Sequence, residues 1–243
     1  MQHLAIDQGN NHIHAALFKD GALVQMLPAF PSESWERVFQ EPTSVIYSSV
    51  AKTDEHLLQY LEEKASSLLR LTSATPMPLT IAYSSSIGTD RIAAAAGAWS
   101  MAPHQPSLII DLGTAATFDM VDSKGIYLGG SISPGLELRL RSLHEHTAKL
   151  PAVEKAGQIV WPASETSTSI RTGAVFGLLA EIEYYIRLSA GQHPKETVQV
   201  FLTGGNSSLL QKKNESSIFA NHHYIVEPNL TLIGLNHILE YNS

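Results

Sequence analysis

Two aspartates stand where apolar strands run out into glycine turns. Leu4–Ile6 ends in Asp7-Gln8-Gly9-Asn10, and Leu108–Ile110 ends in Asp111-Leu112-Gly113-Thr114. A third such turn, Thr203-Gly204-Gly205-Asn206, follows Val198–Leu202. Glycine lets a backbone pass close to a ligand, and the exposed N–H groups of such turns bind phosphate oxygens. Carboxylates at strand ends hold cations directly or through water. These are the parts that phosphoryl transfer needs: metal ions that spread charge, backbone donors around the phosphates, and a base for the acceptor hydroxyl. The candidate base is Asp90, in Gly88-Thr89-Asp90-Arg91, where a strand gives way to the alanine-rich segment Ile92–Trp99. Arg91 beside it can grip an anionic group bidentately. An aspartate in front of a helix is also a common N-cap, so both roles stay open at this point. No Gly-x-x-x-x-Gly-Lys-Ser/Thr occurs, which excludes a P-loop enzyme, and no complete Gly-x-Gly-x-x-Gly follows the first strand.

The elements that must position these residues read as α/β. Ile13–Leu17 alternates as a strand does, Lys19-Asp20-Gly21-Ala22 is a turn, and Leu23–Met26 is the returning strand. Ser32 or Ser34 caps a short helix through Phe39, and Ser44–Tyr47 is a strand. Thr53 or Asp54 caps a longer helix whose stripe runs Leu57, Leu58, Leu61, Ala65, Leu68 and Leu69. Leu79–Tyr83 is a further strand. Pro103 and Pro106 mark a boundary between residues 1–105 and 106–243. Beyond it the pattern restarts: Asp111 precedes Gly125 by 14 positions, as Asp7 precedes Gly21 by 14. This internal repeat points to two similar α/β domains facing each other across a cleft. The second half continues with helices from Leu136 to about His146, from Ile170 to Leu188 and from Leu230 to Leu239.

With 243 residues the chain suits two domains. Its formal net charge of −7 leaves no broad basic face for nucleic acid or anionic lipid, so an anionic substrate must be held by local donors and metal ions. There is no cysteine, which excludes disulfides, thiol catalysis and iron–sulfur clusters. No apolar run of about 18 residues occurs, so no membrane span is expected. Asp7 falls too early for the core of a signal peptide, and a cytoplasmic protein is expected. His12 and His14 share a strand face, as metal ligands do, but no third ligand stands at recognisable spacing.

Six segments then fall in one order: Asp7–Asn10, Gly88–Arg91, Asp111–Thr117, Gly129–Gly135, Leu202–Gly205 and Pro228-Asn229-Leu230. That order resembles the type III pantothenate kinases, within the actin-like, sugar-kinase-like ATPases, from the first strand to the last helix. The resemblance implies two duplicated actin-like (ribonuclease H-like) α/β domains, with mixed five-stranded sheets flanked by helices and a cleft between. It implies ATP-dependent phosphorylation of pantothenate to 4'-phosphopantothenate, the first step toward coenzyme A, by a homodimer. Asp90 would be the proton acceptor. Asp7, Gln8, Gly9 and Asn10, followed by Asn11 and His14, would meet the ATP phosphates, with Asp7 holding magnesium through water. Asp111 would bind a monovalent cation, potassium or ammonium. Thr114, Gly204 and Gly205 would contact ATP. Gly88, Thr89, Asp90 and Arg91 would line the pantothenate site, joined by Tyr83 and by Thr166, which sits seven residues before Gly173.

The chain departs from the family pattern at Asn11 and His14, where a threonine and a lysine are usual, and at Glu165, where asparagine is usual. Histidine near its ordinary pKa is mostly neutral at cytoplasmic pH. Two other readings follow: a catalytically weakened homologue with a regulatory or accessory role, and a kinase for another small hydroxy acid.

Overall fold

Leu4, Ala5 and Ile6 are shielded completely from solvent, as a strand covered on both faces requires. In the computed structural model, which describes residues 1–9, 12–50, 54–84, 86–207 and 224–243, they lie in β1 (Gln2–Gln8). β1 is the centre of a five-stranded sheet with β2 (Ile13–Lys19), β3 (Ala22–Leu27), β4 (Thr43–Ser49) and β5 (Ser67–Arg70), in the order β3-β2-β1-β4-β5. β1, β2 and β3 pair antiparallel, whereas β1, β4 and β5 pair parallel. Helices α1 (Glu33–Val38) and α2 (Glu55–Lys64) pack Trp35, Val38, Leu57, Leu58 and Leu61 with Leu4, Ile6 and Val45.

Helix α3 (Thr89–Met101) and the last helix, Leu230–Tyr241, pack against each other; both also meet β4, and the last helix meets β1. Their backbones nearly touch: a Cβ on Gly234 would lie 1.8 Å from the Ala93 carbonyl oxygen, and one on Gly97 2.3 Å from that of Leu230. The run Ala93–Gly97 is therefore small for packing as well as helix-forming. These elements belong to one compact unit, Met1–His104 with Val121–Gly129 and Asn229–Ser243.

A second unit comprises Gln105–Met120 and Gly130–Pro228. Its sheet uses β7 (Ser107–Leu112), β8 (Ala115–Val121), β9 (Ile126–Pro134), β10 (Gln199–Thr203) and β11 (Tyr224–Val226), in the order β11-β10-β7-β8-β9. Helices α4 (Leu136–Glu145) and α5 (Thr166–Gln192) bury Leu136, Leu140, Ile170, Leu178 and Ile182 with Leu108, Ile110, Phe118 and Leu202. The last helix, Leu230–Tyr241, is then α6. The repeat is visible in the backbone: Gly21 and Gly125, each 14 residues past its aspartate, both adopt positive φ, at 80° and 77°. That is the left-handed conformation a tight turn asks of glycine.

Several elements differ from the expectations. The α2 stripe was expected to run to Leu69, but Ala65 leaves the helix at ψ 142°, and Leu68 and Leu69 pair with Val45 and Ile46 in β5. A short apolar run satisfies both periods, and only the partner strand decides. Asp54 is the α2 cap, accepting from the His56 and Leu57 amides at 3.1 Å; Thr53 lies outside the described residues. The strand expected over Leu79–Tyr83 shrinks to β6 (Thr80–Ile81), which pairs in parallel with Ile126 and Tyr127. This sheet therefore ends on a sixth strand where five were expected. β11, a three-residue edge, was not foreseen, and α5 starts four residues earlier than expected. Among the described residues, no helix is long and apolar enough to cross a membrane.

Candidate active site

In the first unit, β1 and β4 run parallel with Asp7 opposite Ser48, so both residues reach the carboxyl ends of their strands together. Open α/β sheets bind ligands at that end. The Asp7 carboxyl is buried, and its Oδ1 has no hydrogen-bond partner among the described residues. Burial and then the neighbouring Asp90 charge raise its pKa to about 6, against a hydrogen bond from Ser48 that lowers it. A buried carboxylate oxygen without a donor fits a hydrated cation. Gly9 closes the turn by donating its N–H to the His12 carbonyl at 3.0 Å. The Gln8 side-chain carbonyl accepts from the Tyr47 hydroxyl, and from the Asp54 amide at 3.3 Å. Gln8 thereby ties the turn to the start of α2. Asn10 and Asn11 lie outside the described residues. His14 faces Asp7 across the β1–β2 pair. Its pKa is lowered by partial burial and by His12, whose ring centroid lies 6.1 Å away. Among the described residues, no group of three or more His, Asp or Glu is arranged to hold a metal ion.

Asp90 is not the helix cap. Gly88 takes that position, and Asp90 is the second residue of α3, its Oδ1 accepting from the Arg91 amide at 2.8 Å. A Cβ on Gly88 would fall 2.4 Å from Asp90 Oδ1, so the glycine leaves room for the carboxylate to fold back. The Ser48 and Thr89 hydroxyl oxygens lie 2.9 Å apart, which links the Asp90 segment to the strand end beside Asp7. Arg91 is only 6% exposed. Its guanidinium lies 5.5 Å over the Tyr83 ring, which stands edge-to-face with Tyr127 and packs against Gly129. The structure thus gathers Asp7, Gly88, Thr89, Asp90, Arg91 and Tyr83 in one unit.

In the second unit, β7 and β10 run parallel with Asp111 opposite Thr203, so the two glycine turns emerge side by side. Gly204 has φ +85°, and a Cβ there would meet Asp111 Oδ1 at 2.3 Å and Leu112 backbone atoms at 2.7 Å. Thr114 is exposed at the tip of its turn, and Gly205 is exposed beside Gly204. Thr166 is the first residue of α5 and is exposed, following Glu165 at the cap.

The sequence model of the type III pantothenate kinases matches residues 3–188. The Porphyromonas gingivalis type III pantothenate kinase is 37% identical over 248 residues, covering 98% of each chain. The Bacteroides fragilis enzyme of the same name is 37% identical over 246 residues, covering 99% of this chain and 98% of its own. This chain belongs to the type III pantothenate kinase family. As a member it is a kinase, working with ATP and a divalent metal. Two solved structures share its fold: a conserved protein assigned as a Baf family transcriptional activator from Campylobacter jejuni (TM-score 0.59, 21% identity, 98% of each chain) and a protein assigned as a 2-dehydro-3-deoxygalactonokinase from Sinorhizobium meliloti (TM-score 0.61, 13% identity, 99% of each chain).

Read as a pantothenate kinase, the chain has neighbours of the candidate site that its sequence did not reveal. Ser48 is one, since only the β1–β4 register brings it to Asp7; its signal was a strand ending in two serines. Tyr127 is another, visible beforehand only as an apolar position in a strand.

Proposed function

We propose that this chain transfers the γ-phosphoryl group of ATP to the terminal hydroxyl of pantothenate, committing it to coenzyme A synthesis. The observation that carries the mechanism is the Asp7–Asp90 pair: a buried carboxyl with an unpartnered oxygen, held near a second carboxylate at the start of α3. In this reading Asp90 takes the hydroxyl proton as that oxygen bonds to the γ-phosphorus, and the bond to the departing ADP oxygen breaks. Arg91, positioned against Tyr83, holds the pantothenate carboxylate, with Gly88, Thr89 and Thr166 completing the acceptor site. Backbone N–H groups of the Gly9 turn, with Asn10, Asn11 and His14, receive the phosphates; Thr114, Gly204 and Gly205 receive the rest of the nucleotide. Magnesium would be held near Asp7 through water, and potassium or ammonium by Asp111. These cations would supply neutralisation of phosphate charge. Desolvated and close to Asp90, the Asp7 carboxyl carries its charge more readily once a cation is beside it. We place the active form as a cytoplasmic homodimer.

A coupled assay with ATP, magnesium and potassium, offering pantothenate beside other small hydroxy acids, tests the acceptor. Selective ADP release with pantothenate is expected. Turnover only with another acid, or none from folded dimer, refutes this reading in favour of another acceptor or an accessory role.

A further inference from the structure

Lys155 belongs to the loop between α4 and α5, far in sequence from any glycine turn, yet its ammonium ends beside one. Its Nζ donates to Glu137 Oε1 at 2.7 Å and to Asn206 Oδ1 at 3.2 Å. Asn206 is buried. Its Nδ2 donates to Glu137 Oε2 at 2.9 Å and to the Leu112 carbonyl at 3.2 Å. Its backbone N–H donates to the same Leu112 carbonyl at 3.1 Å. Ser207 closes the turn, donating to the Gly204 carbonyl from its N–H at 3.1 Å and its Oγ at 2.7 Å. Asn206 is thus the clasp between the Gly204–Gly205 turn and the Asp111–Thr114 turn. Lys155 and Glu137 hold its side chain from outside.

We infer that Lys155 is a positioning residue for nucleotide binding, acting through Asn206 and by neutralising Glu137. This rests on the reading of the two glycine turns as the seat of ATP. Two effects follow from one side chain. The ammonium fixes the Asn206 carboxamide so that its Nδ2 faces Leu112, which keeps the two turns in register. It also cancels the carboxylate of Glu137 in the first turn of α4. Burial raises the Glu137 pKa, but the hydrogen bonds from Lys155, Asn206 and the Glu137 backbone, together with the Lys155 charge, outweigh it and leave the group lowered. Without Lys155 that charge would stand uncompensated next to turns that must receive an anionic nucleotide.

The test compares Lys155→Ala, Lys155→Arg and Lys155→Ala/Glu137→Gln with the wild type. It measures amide exchange at Asn206 in the ligand-free protein, ATP affinity by calorimetry, and KM and kcat. Lys155→Ala is expected to speed exchange at Asn206 and weaken ATP binding about tenfold, as losing a half-exposed charge-assisted bond implies. The KM for pantothenate stays unchanged. Lys155→Arg restores ATP affinity. Glu137→Gln in the alanine background recovers part of it, because glutamine still accepts from Asn206 but carries no charge. Unchanged exchange at Asn206, or a loss spread equally over kcat and both KM values, overturns the inference. A wild type that binds ATP yet leaves pantothenate untouched refutes the acceptor assignment alone, and the ATP affinities still decide the role of Lys155. A wild type that does not bind ATP overturns both.

Discussion

Replacing Asp7 by asparagine should make the ligand-free protein more stable while disabling it. The Asp7 carboxyl has an ordinary pKa of 3.8 and a folded one of about 6. Its folded pKa lies above the unfolded value, so the associated stability is fully present below about pH 3.8 and is lost as pH rises through about 6. A shift of about two units corresponds to about 3 kcal/mol at about pH 7.5, and the linkage relation leaves about half of that at about pH 5. Asparagine keeps the shape and the buried position without the charge, so Asp7→Asn should recover this amount. At about 2–4 °C per kcal/mol for a chain of this size, the melting temperature rises by about 6–12 °C at about pH 7.5. Thermal and urea denaturation of both proteins in a chelator, at both pH values, measures it. Turnover should fall at least about a hundredfold, since the variant can no longer offer a carboxylate to the metal. Such a trade of stability for function is common at active sites. An asparagine variant equally or less stable at pH 7.5, or a gain that does not shrink with acid, refutes the burial argument.

Three other substitutions test the proposed residues. Asp90→Asn should lower kcat about a hundredfold to ten-thousandfold, the usual share of a general base, with a melting temperature at or above that of the wild type, since the Asp90 charge helps to raise the Asp7 pKa; full activity would remove Asp90 as proton acceptor. His14→Lys adds a fixed charge where partial burial and His12 keep the imidazole neutral, so the KM for ATP should fall about threefold or more. That variant should also lose the gain in ATP affinity that acid gives the wild type. Gly204→Ala places a methyl 2.3 Å from Asp111 Oδ1 at φ +85°. Denaturant titration should show a loss of about 2–4 kcal/mol from strain and overlap.

The strand–turn units around Asp7 and Asp111 were legible because a buried strand ended by Asp-x-Gly is a local pattern, and its recurrence at the same offset needs no partner. β5 was not, because Leu68 and Leu69 continue the α2 stripe and become a strand only by pairing with β4. The same holds for the candidate site. Asp90 and Arg91 stand out by type and place, but the sequence left Asp90 poised between base and cap. Gly88 at the cap settles the local geometry, since its missing side chain makes room for the Asp90 carboxylate. The places of Ser48, Tyr127 and the Lys155–Glu137–Asn206 cluster beside the glycine turns and Arg91 could not be read beforehand, since each depends on register or on contacts between distant segments. The close approach of α3 and α6 was equally hidden, although Ala93–Gly97 and Gly234 carried its signature in small side chains.

The central claim is phosphoryl transfer to pantothenate with Asp90 as proton acceptor. Its most direct test is mass spectrometry of the products formed by wild type and Asp90→Asn from ATP, magnesium, potassium and pantothenate. The account predicts pantothenate carrying one added phosphoryl group, matched one for one by ADP, from the wild type and almost none from the variant. ADP without phosphorylated pantothenate, or equal product from both proteins, would contradict it.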